Sequence, residues 1–281
     1  MSLAGRRVDA SWLTLRADED ARARSDFAAG LADRLAAYAR ATVADRPLRL
    51  VDVGAGTGGG AAWLRHRLLP RLPFPQEWRL VDIDGDLLDR APAVRGGWAH
   101  AIVSDIADTA ALLDEKPADV ITCQALLDLL TPDQLRQLLM PAMGAGAAVL
   151  LALTVTGTVR LTSPDDDDDL VADLFNAHQL RAGRLGSDAS QRAGELLRRN
   201  GYDVVSVHTP WRLGPATGAL LEQWLRGRAA AAEEQQPDDG DRIEQWLNRR
   251  LDLAHSGALT AIVDHVDLLG LPPAVLGASP R

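Results

Sequence analysis

The 281-residue sequence predicts a doubly wound α/β fold, a mostly parallel sheet with helices on both faces. Three observations carry this. Short apolar, β-rich runs alternate with helical patterns from Leu48 to Val155, the signature of successive βαβ units. A glycine cluster, Gly54 to Gly60, joins the first such run to the first helix of the alternation. Hydrophobic residues make up 47% and charged residues 25% of the chain, a globular balance and not a disordered one.

The elements follow in order. Phe27, Leu31, Leu35 and Tyr38 recur at helical spacing among arginines and aspartates, so 18–45 reads as one or two helices, broken by Arg46-Pro47. Leu48 to Val53 is a buried parallel strand. The glycine cluster opens a helix from Ala61 to about Leu69. Trp78 to Ile83 is the second strand and Asp86 to Ala91 a helix, with Asp84 as its cap. His100 to Ser104, Val120 to Cys123 and Ala147 to Val155 are further strands, separated by helical patterns at Ala110 to Leu113 and Pro132 to Met140. Beyond Val155 the pattern changes. Thr162 to Leu180 reads as an inserted helix, with Ser163 as N-cap and Pro164 in its first turn. Ser187 to Asn200 is a helix closed by Gly201, and Tyr202 to His208 a sixth strand. Ala216 to Ala232 and Ile243 to Leu253 are helical, with Gln235 to Asp241 as a polar linker between them. Leu259 to Leu268 is a last strand.

Composition excludes several classes. A formal net charge of −9 argues against a nucleic-acid binder, which normally shows a basic field. No apolar run approaches the roughly 20 residues that span a bilayer, and Met1 to Asp20 lacks the apolar centre of a signal peptide. One cysteine, Cys123, cannot build an internal disulfide framework and fits a reducing cytoplasm.

The functional signal starts at Val51-Asp52-Val53-Gly54-Ala55-Gly56-Thr57-Gly58. Glycines permit positive φ and let a ligand lie against the main chain, and the helix start behind them offers unpaired N–H groups. The same glycines can equally serve close strand–helix packing. Asp52, two residues before the first glycine, suits a ligand carrying an ammonium group. Asp82, ending the second strand, can accept hydrogen bonds from both hydroxyls of a ribose.

Here the chain resembles the class I S-adenosylmethionine-dependent methyltransferases. The matching residues are VDVGAGTG (51–58), LVDID (80–84), SDI (104–106) and ADVITCQALLDLL (118–130), and the resemblance spans about 25–210. It implies a Rossmann-like seven-stranded sheet with an antiparallel last strand, supplied by Leu259 to Leu268, in a single domain over 1–281. That domain has an N-terminal helical segment at 1–46, a cofactor-binding half at 47–160 and an acceptor-side half at 161–281, with helical insertions near 162–185 and 216–256. It implies S-adenosylmethionine as cofactor. Asp52 would hold the methionine part, Gly54, Ala55 and Gly56 would approach it by their backbone, and Asp82 would grip the ribose. Asp105 would meet the adenine amino group, Ile83 and Ile106 would flank the ring, and Gln124 would contact the cofactor. The patterns WLTLR (12–16), FNAHQ (175–179), WRLG (211–214) and HVDLLGLP (265–272) look like a bacterial subgroup acting on small molecules.

For the proton that must leave the acceptor, Asp128 and His178 are the candidate bases. Each also reads as a structural side chain. His208 and His265 read as satisfied sheet residues, and no histidine spacing suggests a metal. The run Asp165 to Asp169 reads as a helix start. Arg16 and Arg24 could meet a cofactor carboxylate but read as solvated, with Trp12 and Arg16 ahead of the first helix. Trp211, Trp224 and Trp246 read as core anchors. Two rival functions stay open: a nicotinamide-dependent oxidoreductase and a non-catalytic methyltransferase-like scaffold. The partner expected is a small-molecule substrate, with no nucleic acid and no membrane; a homodimer is compatible with the chain.

Overall fold

In a computed structural model, residues 9–43 and 45–273 are described; the outer ends of the segments read at 1–46 and 161–281 lie outside them. Two helices come first, α1 (Ala10–Phe27) and α2 (Ala29–Thr42). The alternation follows as β1 (Leu48–Val53), α3 (Gly59–Leu68), β2 (Gln76–Asp82), α4 (Gly85–Arg90), α5 (Pro92–Arg95), β3 (Ala99–Val103), α6 (Thr109–Glu115), β4 (Val120–Gln124), α7 (Pro132–Gly144) and β5 (Ala148–Leu161). The chain then runs through α8 (Asp168–Gln179), α9 (Ala189–Arg199), β6 (Asp203–His208), β7 (Trp211–Leu213), α10 (Gly218–Gln235), α11 (Gly240–His255) and β8 (Ala261–Leu271).

The strands form one sheet in the order β3-β2-β1-β4-β5-β8-β6, with β7 also paired to β8. β1 to β5 pair in parallel, and β8 runs antiparallel to both β5 and β6. This is the expected Rossmann-like sheet with its antiparallel last strand, plus a three-residue eighth strand that the sequence reading did not foresee. β1 shows why the sheet is continuously apolar: Leu48 and Leu50 pack into a core with α2 and α3, while Val51 and Val53 pack into a second core with α7 and α9. A third core, around Trp246 and Leu225, joins α10 and α11 to β7 and β8. Among the described residues no helix is long and apolar enough to cross a membrane.

Local chemistry explains the boundaries. Asp84 caps α4 by accepting the Asp86 N–H at 3.0 Å. Thr131 and Gln134 form a capping box at α7, with Pro132 in its first turn. Gly201, at φ 82°, follows α9 as read.

Three expectations are corrected. The fifth strand runs on to Leu161, because β8 continues to pair with it across two register shifts. The inserted helix begins at Asp168 and not near Ser163, which sits at φ 56°. Its acidic run does not cap it; Asp165 and Asp167 are taken by Arg249 at 2.7 and 2.8 Å, and Asp168 and the Ser163 carbonyl by the fully buried Arg250. The Arg249 guanidinium holds the Asp165 carboxyl down at about 2. A sequence scan cannot see arginines more than 70 residues downstream, so the run looked like a helix start. Lastly, Trp12 and Arg16 lie inside α1 and not ahead of it.

Candidate active site

β1 connects outward to β2 and β3, whereas β4 and β5 extend the sheet on the other side. Ligands of open α/β sheets bind at the carboxyl ends of the strands where the order reverses in this way. A cavity of about 1670 Å³ lies there. Sites for a single small molecule run to about 300–1,000 Å³, so this one has room for two reactants.

The loop after β1 forms one wall. Gly54 sits at φ 67°, a backbone conformation that favours glycine, and a Cβ on it would meet the tip of the Leu126 side chain. The Ala55 N–H donates to the Val81 carbonyl at 3.0 Å, and the Gly56 N–H to Asp82 Oδ2 at 2.7 Å. Asp82 Oδ1 accepts the Asp84 N–H at 2.9 Å. Asp82 thus braces the glycine loop against the end of β2. Each of its carboxylate oxygens has a further lone pair, and the residue lines the cavity.

Asp52 lies beneath this loop, 2% exposed, and the Thr122 hydroxyl donates to its Oδ1. Burial pushes its carboxyl up to about 6, with the Asp82 carboxylate adding to the rise, against the pull of Thr122 and Arg24. The sign has a consequence for stability. Because the folded value lies above the unfolded one, the folded state binds the proton more tightly, and the resulting stabilisation is lost as pH rises from 4 through 6. Asp52→Asn cannot ionise. Its stability relative to wild type should therefore grow by on the order of 2–3 kcal/mol between pH 4 and 8, read by urea unfolding at both pH values; a pH-independent difference would contradict the raised carboxyl.

Asp105 caps a single 3-10 turn, Ile106–Asp108, by accepting the Ala107 N–H at 3.0 Å. With Ile106 and Ile83 it lines the cavity beside Asp82. Gln124, at the end of β4, accepts from Arg24 Nη1 at 3.0 Å and donates to Asp20 at 3.4 Å, so helix α1 holds it at the rim.

Those contacts correct the reading of the arginines as solvated. Arg24 is 2% exposed, pairs with the buried Asp267 of β8 at 2.9 Å and stacks on Trp63 at 3.8 Å. Arg16 pairs with Asp20 at 2.8 Å and lies over the Trp211 ring at 5.2 Å. Both line the cavity, as does much of the inner face of α1.

The two candidate bases also reach the cavity. Asp128 lies in a 3-10 turn after β4, buried at 8% exposure. Burial pushes it up to about 6, opposed first by a hydrogen bond from its own backbone and then by Arg16 and Arg184. His178 lies on α8; its Nε2 is 3.1 Å from Glu234 of α10, which Arg181 also holds at 2.6 Å, and its buried Nδ1 has no partner among the described residues.

Two further readings change. His208 is satisfied by Asp264 at 3.0 Å, but His265 is not a satisfied sheet residue: it lines the cavity, and its Nδ1 has no hydrogen-bond partner among the described residues. Trp246 is a core anchor, whereas Trp211 and Trp224, though buried, also face the cavity. The period-two alternation of β8 puts Val263, His265 and Asp267 on one buried face. That alternation is the signal by which His265 could have been found.

No protein-family model and no curated protein matches the chain. Among solved structures, it is similar to a cyclopropane-fatty-acyl-phospholipid synthase-like protein from Lactobacillus casei, with a TM-score of 0.53 and 12% identity over 94% of each chain. It is also similar to a putative type II methyltransferase from Anaeromyxobacter dehalogenans (TM-score 0.45, 14% identity, 87% of this chain and 97% of that one). A third is a cyclopropane synthase from Mycobacterium tuberculosis (TM-score 0.43, 12% identity, 80% of this chain and 78% of that one). At such identities the likeness establishes the fold alone, a Rossmann-like α/β sheet with an antiparallel strand near its edge.

Proposed function

We propose that this protein transfers a methyl group from S-adenosylmethionine to a small-molecule acceptor. The observation that carries the reading is Asp82: a carboxylate that ends β2, braces the glycine loop through the Gly56 N–H and still faces the cavity. Such a group can bond both ribose hydroxyls of a nucleoside while fixing the backbone against which that nucleoside lies.

The remaining residues fit the charge layout of this cofactor. The buried Asp52 carboxylate favours its ammonium group. Gly54, Ala55 and Gly56 present backbone without side-chain obstruction, and Gln124 stands at the rim with amide groups for its polar end. Asp105 would receive the adenine amino group, with Ile83 and Ile106 against the ring. Held by these residues, the cofactor would supply an electrophilic methyl on a sulfonium, which a lone pair of the acceptor would take as the carbon–sulfur bond breaks and its electrons return to sulfur. The chain positions the acceptor and keeps the site dry. Asp128, beyond the end of β4, takes the proton released by the nucleophile; its raised carboxyl is poised near neutral pH for that transfer. His178, fixed by Glu234, borders the acceptor side of the same cavity and is the second group within reach of that proton.

Thermal unfolding with added nucleotide tests the reading. S-adenosylmethionine at about 100 times its Kd should stabilise the fold by about 2.7 kcal/mol, and NAD should leave it unchanged. Stabilisation by NAD alone would turn the assignment toward an oxidoreductase, and no response to S-adenosylmethionine at millimolar concentration would favour a scaffold.

A further inference from the structure

Resting on the methyltransferase reading above, we propose that His265 determines acceptor specificity by accepting a hydrogen bond from a hydroxyl of a flat, uncharged acceptor molecule, while the methyl-receiving atom lies beside Asp128. His265 comes from β8, opposite Val155 of β5, and its ring packs tilted on Trp211 at 4.9 Å between centroids. The residue is 3% exposed, and its Nδ1 finds no partner among the described residues. A buried polar atom left unpaired costs about 1–3 kcal/mol, which an apolar side chain on this alternating strand would not. Burial, with Arg16 nearby, drives the imidazole down to about 3 against the pull of the Val263 backbone and Asp264, so it remains neutral and keeps an acceptor lone pair at every physiological pH.

The walls around it define the rest of the molecule it would meet. Trp12, Trp211, Trp224 and Phe175 line the cavity, and aromatic faces favour a flat ring. Of the guanidinium groups on these rings, Arg16 over Trp211 at 5.2 Å lines the cavity, while Arg228, over Phe175 at 4.4 Å and Trp224 at 5.0 Å, is not one of its lining residues. A cationic acceptor that sought the Trp211 face would meet the Arg16 guanidinium. The cavity carries charges of both signs, and Arg16, Arg24 and Arg181 are already paired with Asp20, Asp267 and Glu234, so an uncharged acceptor disturbs none of these pairs. A neutral ring with one hydroxyl for Asp128 and another for His265 gives both of these buried, cavity-lining residues a polar partner. An analogue lacking the second hydroxyl leaves the imidazole unpaired, and sites built for a hydroxyl discriminate strongly in that situation.

The test uses binding, not turnover. Calorimetric titrations of the full chain with phenol, catechol, resorcinol and hydroquinone are run with and without S-adenosylhomocysteine, whose own affinity is measured separately. At least one of the three dihydroxy rings should bind about tenfold tighter than phenol, the weight of about 1.4 kcal/mol. His265→Phe should erase this preference to within about twofold while S-adenosylhomocysteine affinity stays unchanged, and His265→Gln, which keeps an acceptor oxygen, should retain most of it. A wild type with no preference, or a His265→Phe variant that keeps it, overturns the role of His265; a wild type that binds none of the four rings overturns the flat acceptor. Selective binding of a dihydroxy ring without any binding of S-adenosylhomocysteine would instead sink the methyltransferase reading and leave the His265 subsite standing.

Discussion

Asp82→Ala weakens S-adenosylmethionine binding at least tenfold. The expectation follows from what the carboxylate does twice. Toward the protein it accepts the Gly56 N–H at 2.7 Å and the Asp84 N–H at 2.9 Å; toward the cavity, in the proposed role, it would offer the remaining lone pairs to a ribose. Hydrogen bonds to a charged group are worth about 1.5–3 kcal/mol each, and about 1.4 kcal/mol is a factor of ten in Kd. Calorimetry reads the affinity, and Asp82→Asn separates the two duties: it keeps one acceptor for the loop but loses the charge. The expected order is wild type, then Asn, then Ala. Equal affinity in wild type and Asp82→Ala would remove the ribose role and with it the main support for the proposed function.

The second large effect is on stability. Arg24→Met should cost about 3–5 kcal/mol, the usual result of removing one partner of a buried ion pair. Asp267 has no exposed surface, and among the described residues its polar contacts are Arg24 Nε at 2.9 Å, the Leu153 N–H at 2.8 Å and the Thr209 hydroxyl at 2.8 Å. Without the guanidinium the carboxylate stays buried with two neutral donors and no countercharge. The consequences spread, because Asp267 holds the irregular turn of β5 at Leu153, which sits at φ 50°, and Arg24 ties α1 to the rim residue Gln124. Urea unfolding should show a lower midpoint with an unchanged slope. A loss below about 1 kcal/mol would mean that water reaches the pair and that α1 is anchored elsewhere.

How far the sequence could be read depended on the range of the interactions that fix each feature. β1 was legible to the residue because its burial on both faces is written as six adjacent apolar-rich positions. The glycine loop was legible because positive φ is a property of single residues, and Asp82 because it closes an apolar run. The acidic run at 165–169 was misread because its charges answer arginines of α11. His265 was misread because its alternation was visible but not the cavity that the alternation faces.

The sequence by itself therefore determined the strand–helix alternation, the parallel half of the sheet, the glycine loop and the acid at the end of β2. These depend on period, on backbone conformation and on neighbours within a few positions. Only the tertiary structure decided what α1 and β8 contribute: the Arg24–Asp267 pair, the seat of Gln124, and the unpaired imidazole among the aromatic rings. Those features join residues as much as 243 positions apart, and no local pattern encodes which distant charge or ring a side chain will meet once the sheet closes over it.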